Sequence, residues 1–134
     1  MKKTKKSKGN FLCSLERLII EDMSIYRLGI FQNSSYDLVG INAGQTYFPH
    51  YHKNSSARVY IIYGQGNAIL NNREIPYRPQ DIFEIKKGVS HGFSPIKNTL
   101  FLSIQTPPII DSENKKIDIH YKNKTIKRQI IGEE

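Results

Sequence analysis

Apolar and polar residues alternate with a period of two along much of the chain, in short stretches separated by turn-forming residues. Segments 24–31, 36–41, 46–52, 59–63, 67–70, 82–85 and 100–105 fit half-buried strands. Between them fall Asn33-Ser34-Ser35, Ala43-Gly44-Gln45, Lys53-Asn54-Ser55-Ser56, Gly64-Gln65-Gly66, Asn71-Asn72 and Lys86-Lys87-Gly88. Short strands broken so often predict an all-β sandwich or barrel. Asn71-Asn72 predicts a tight hairpin, because asparagine tolerates positive φ. Gly64-Gln65-Gly66 follows an apolar run with no helix after it, which argues for a bend between strands and against a phosphate loop. Segment 11–22 is ambiguous. Leu12, Leu15, Leu18 and Ile19 would share one helical face, yet the same residues suit an N-terminal strand. After Pro107-Pro108 comes a polar loop, and the alternation over residues 117–121 predicts an edge strand.

A chain of 134 residues suits a single domain with a core of its own. Cys13 is the only cysteine, which excludes an intramolecular disulfide and a cysteine-rich zinc module; it is read as a small buried hydrophobe. The expected organisation is a basic arm at residues 1–10, one domain at 11–121 and a charged tail at 122–134.

Charge sharpens this division. Of the net +8, the first ten residues carry +5 through five lysines and no acid. The remaining basicity is spread thinly, without a stripe of cations and aromatics on the body, so neither nucleic acid nor a membrane is the expected partner. No stretch is apolar enough to span a bilayer, and the Lys-rich start lacks an apolar signal segment; the expected location is cytoplasmic.

Candidate chemistry centres on His50-Tyr51-His52 and, further on, His91. Side chains two apart on a strand leave the same face, so two imidazoles can converge on one point. Imidazole is the commonest metal-binding side chain and titrates near neutrality.

Two motifs give this pattern a family likeness. Gly44, His50-Tyr51-His52, a polar turn, an apolar run and Gly64 resemble the first motif of the cupin superfamily. Asp81-Ile82-Phe83-Glu84-Ile85-Lys86-Lys87-Gly88-Val89-Ser90-His91 resembles the second. The likeness covers residues 41–108 and implies a small antiparallel β-barrel of jelly-roll topology with an interior site. It places His50, His52 and His91 on the three metal-binding histidines of the family. It also exposes a departure: the position of the usual fourth ligand, a glutamate, holds Ala57. Three neutral imidazoles still form a donor set for a divalent ion, with zinc, iron, manganese and nickel as candidates. Glu84 would replace the lost carboxylate only if turned inward; the expectation is an exterior charge. Arg58 is likewise expected outside. Parity from His50 and Ala57 puts Phe48, Val59 and Ile61 on the cavity wall as ligand-contacting residues, and Gln105 at its mouth. Tyr51 should point away from the histidines, and His120 should lie at the surface or on an edge strand.

Three functions compete, because the fold alone decides none. The first is a three-histidine metal cupin acting on a small polar metabolite, sugar-like or an organic acid, in the manner of sugar-phosphate isomerase-like cupins. The second is a non-catalytic small-molecule-binding or sensory cupin lacking a metal, for which Ala57 argues. The third is a metal-free isomerase using histidine as base. A homodimer, covering open strand edges, is expected from the fold.

Overall fold

The computed structural model describes residues 17–20, 23–111, 113–114 and 116–121. The expected arm and tail, Cys13 and most of the ambiguous segment 11–22 lie outside the described residues. Within that segment Arg17–Ile20 is strand β1, not helix, because it pairs antiparallel with β2 (Met23–Phe31). The chain continues through β3 (Ser34–Ile41), β4 (Tyr47–His50), β5 (Ser56–Tyr63), β6 (Gly66–Leu70), β7 (Arg73–Tyr77) and β8 (Ile82–Ile85). It ends with β9 (His91–Pro95), β10 (Thr99–Thr106), β11 (Ile110–Asp111) and β12 (Lys116–Ile117).

Two sheets carry the architecture. One has the order β1-β2-β3-β10-β5-β8, and the other β4-β9-β6-β7, with β11 and β12 forming a separate pair. Pairing is antiparallel throughout, and the described residues contain no helix. The fold is therefore all-β, as the strand pattern implied, and jelly-roll-like, as the family resemblance implied. Its hydrogen bonding forms two separate sheets instead of one closed barrel.

Alternation explains which residues turn inward. On β3, Ser35, Asp37, Val39 and Ile41 are buried; on β5, Ala57, Val59 and Ile61; on β10, Thr99, Phe101, Ser103 and Gln105. Register aligns these into rows across the sheet: Arg27, Asp37, Ser103 and Val59 in one, Ser35, Gln105 and Ala57 in the next. Apolar rows pack against the second sheet through Phe93, whose ring meets Phe101 at 4.9 Å, Tyr77 at 5.9 Å and Phe83 at 6.5 Å between centroids. Fully burying one such ring contributes roughly 2–3 kcal/mol.

Turn chemistry fixes the strand ends that matter for the site. Asn71 and Asn72 adopt φ of 47° and 66°, so the predicted β6–β7 hairpin forms at these two residues. Asn71 also exchanges hydrogen bonds with Ser90: its N–H donates to the Ser90 carbonyl at 2.8 Å, and its side-chain oxygen accepts from the Ser90 N–H at 3.2 Å. That anchor sits immediately before His91. Gly88, at φ 83°, donates its N–H to the His52 carbonyl at 2.7 Å and ties the second motif to the first.

Candidate metal centre

His50 ends β4, His52 lies two residues beyond it, and His91 opens β9, the strand paired with β4 in a register that sets His50 against His91. All three are at most 4% exposed. Their ring centroids lie 4.2 Å (His50–His91), 4.9 Å (His52–His91) and 5.2 Å (His50–His52) apart. One ligating nitrogen from each falls within 4.8 Å of the others.

Hydrogen bonds set the tautomers. The Nδ1–H of His50 donates to the Phe48 carbonyl at 3.2 Å, that of His91 to the Val89 carbonyl at 2.9 Å, and that of His52 to the Asp118 carbonyl. A carbonyl oxygen only accepts, so each neutral ring carries its proton on Nδ1 and presents an Nε2 lone pair. Histidines that hold metals are oriented in this way, by a second partner on the far nitrogen. At His50 that lone pair accepts from the Tyr47 hydroxyl.

Burial also keeps the rings neutral. Desolvation, then the neighbouring His91 and His52, holds His50 well below the usual histidine range. Desolvation first and His52 second push His91 down to about 3. His52 is lowered as well, chiefly by burial, against the opposing hydrogen bond to Asp118. Neutral imidazole is the form that ligates a cation. The donor set thus fits a divalent ion in chemistry. His50, His52 and His91 would hold such an ion, which would supply Lewis acidity there.

The histidines form one pole of a cavity of about 40 Å³ between the two sheets. Across it stand Asp37, Ser103 and Gln105 of the larger sheet, and Ile109 and Ile119 cover it from the C-terminal segment. Asp118 fastens that segment. Its carboxylate accepts from the Lys53 and Asn54 N–H groups at 2.8 Å each and meets His120 Nε2 at 3.0 Å. Burial opposes ionisation of Asp118, but the Asn54 and Lys53 donors outweigh it and hold the carboxyl below its ordinary value.

Among the residues expected on the cavity wall, Val59 and Gln105 line it. Ile61 is buried in the adjoining core, outside the lining. Phe48 is a correction: it is 43% exposed and faces away. A register shift between Tyr47 and His50, around Pro49, breaks the parity, so Tyr47 turns inward in its place. Ala57 lines the cavity and offers no ligand. Arg58 and Glu84 pair with each other outside, at 53% and 68% side-chain exposure, so Glu84 does not stand in for a carboxylate at position 57. Tyr51 faces away from the trio and stacks with His120 at 5.4 Å, the two residues forming a β-bridge.

The sequence reading missed Tyr47, Asp37 and Ser103. The last two were within reach of parity, since Asp37 shares a face with Val39 and Ser103 with Phe101.

No protein-family profile and no curated protein matches the chain. Solved structures do. A uridine-bound variant of Streptomyces PAC13 superposes with a TM-score of 0.68 at 16% identity, over 87% of this chain and 92% of that one. An RmlC-like cupin from Shewanella frigidimarina gives 0.66 at 16% identity, over 83% and 97%. Ectoine synthase from P. lautus gives 0.60 at 21% identity, over 66% of each chain. At such identities the likeness speaks for architecture: the chain has the cupin fold, with three buried histidines gathered between its two sheets.

Proposed function

We propose that the protein binds a divalent metal ion through His50, His52 and His91 and uses it to act on a small polar metabolite, sugar-like or an organic acid. One observation carries the reading: three neutral rings, each fixed at Nδ1 by a backbone carbonyl, line one cavity and bring a ligating nitrogen each within 4.8 Å of the others. A metal held there supplies Lewis-acid polarisation of a carbonyl or carboxylate oxygen. The chain's own groups orient the ligand and exclude water. Neighbours in structure accord with a small-metabolite role, since one PAC13 structure is described as a nucleoside dehydratase and another neighbour is ectoine synthase.

The test is metal analysis of protein purified without chelator, with His52→Ala and His91→Ala as controls. About one equivalent in the wild type, lost in both variants, is expected. Wild-type protein that takes up no zinc, iron, manganese or nickel overturns the proposal.

A second reading, a metal-free binding or sensory protein, draws on two observations. Ala57 lines the cavity and offers no ligand atom, and the Tyr47 hydroxyl already occupies the His50 lone pair. Thermal melts separate the two readings, because a ligand of the native state raises the melting temperature. Stabilisation by a metabolite and by no metal favours the second.

A further inference from the structure

The wall opposite the histidines is as organised as the histidines themselves. Asp37 is 1% exposed and lines the cavity, an unusual place for a carboxylate unless it is paired. Its partner is Arg27 on the neighbouring strand, with Nε 2.8 Å from the carboxylate and side-chain exposures of 12% and 2%. Beside it a hydrogen-bond chain runs in one direction. The Ser35 hydroxyl donates to the Gln105 amide oxygen, and the Gln105 amide nitrogen donates to Ser103 Oγ at 2.7 Å. Because Ser103 accepts from Gln105, its own hydrogen is left for another acceptor. Ser103 sits directly across from Asp37 in the strand register. A purely structural polar network has no need to face a cavity; this one presents a carboxylate and a hydroxyl to it.

We infer that Asp37 and Ser103 form a ligand-reading subsite that selects small molecules with a hydrogen-bond donor, a hydroxyl or an ammonium, at the end remote from the histidines. The inference rests on the proposed function for the other end, where the histidines and their metal take a carboxylate or carbonyl oxygen. Asp37 accepts from the donor group. A ligand that brings a second anion to that wall sets acceptor against acceptor there, because the Asp37 oxygens, already paired with Arg27, have no hydrogen to give. The class is therefore small hydroxy or amino acids and hydroxy-carbonyl compounds, and diacids are excluded. The volume of about 40 Å³ agrees, since it admits few heavy atoms without movement of the Ile109 and Ile119 cover.

The experiment measures binding of propionate, β-hydroxypropionate, β-alanine and malonate to metal-loaded protein by calorimetry. These probes share one carboxylate and differ only at the other end. A hydrogen bond to a charged group supports a preference of roughly tenfold or more for the hydroxyl and ammonium probes over propionate and malonate. In Asp37→Asn that preference over malonate should fall to within about threefold. Asp37→Asn leaves Arg27 without its partner, so the double variant Arg27→Met/Asp37→Leu, which removes both charges, serves if the single variant does not fold. Malonate bound as tightly as β-hydroxypropionate by wild type, no measurable binding of any probe by protein shown to carry metal, or a ranking unchanged in the folded variant each overturn the inference. Metal content is determined on the same samples. Protein that takes up no metal counts against the proposed function, whereas metal-loaded protein that binds the probes without the expected ranking counts against the Asp37 subsite alone.

Discussion

The Tyr47 hydroxyl donates to Nε2 of His50, the same lone pair that a metal ion would take. The two cannot use that nitrogen together, so metal binding displaces the tyrosine from it. Tyr47→Phe removes the competitor and leaves a buried acceptor unpaired in the metal-free protein. We expect the metal-free variant to lose about 1–2 kcal/mol of stability and the metal dissociation constant to fall roughly tenfold. Chelator competition and melts with and without metal check both. Weaker metal binding in the variant would mean that the hydroxyl supports the bound state instead.

Acid should destabilise the metal-free protein through the histidines. In the unfolded chain each imidazole gains a proton below its ordinary value of about 6.5. In the fold His91 resists protonation until about pH 3, and His50 and His52 are lowered too. The unfolded state thus binds more protons across this window, and stability falls as pH drops from 6.5 towards 3. His91 alone contributes about 2 kcal/mol of loss by pH 5. Urea melts at several pH values should show a shallower acid slope for His91→Gln than for wild type; equal slopes would rule out His91 as a source.

Asp118→Ala should loosen the cover of the cavity. The change removes acceptors for the Lys53 and Asn54 N–H groups and the partner of His120. We expect a loss of about 1–3 kcal/mol and faster amide exchange in residues 116–121 than elsewhere. Uniform exchange across the chain would contradict a local fastening role.

Gly64→Ala should damage the turn between β5 and β6. Gly64 has φ of 109°, and a Cβ there would stand 2.6 Å from the Asn98 carbonyl oxygen and crowd Thr99. Backbone strain and the clash together predict a loss above about 2 kcal/mol, read from denaturant midpoints. A midpoint within error of wild type would show that the turn can move aside.

Much of this was readable before folding. The spacing of His50 and His52 placed both rings on one face, and Asn71-Asn72 marked its hairpin by its tolerance of positive φ. Two features resisted. Alternation alone sets Phe48 on the histidine face, but the slip around Pro49 exchanges it with Tyr47, and nothing in alternation announces a one-residue bulge. Strand β9 reads His-Gly-Phe-Ser-Pro, a poor strand sequence by propensity. Its glycine serves tight packing, since a Cβ at Gly92 would lie 2.9 Å from Pro49 N. Tertiary approach, not local preference, makes that segment a strand. Asp37 was hidden differently: its strand was plain, but a carboxylate on an apolar face invites a surface reading until its arginine partner is seen.

Asp118 has two roles at once. Its backbone carbonyl orients His52 while its side chain holds the neighbouring turn against the C-terminal segment. One imidazole and the backbone that lies over the chamber thus share a single anchor, so a substitution at residue 118 reaches both.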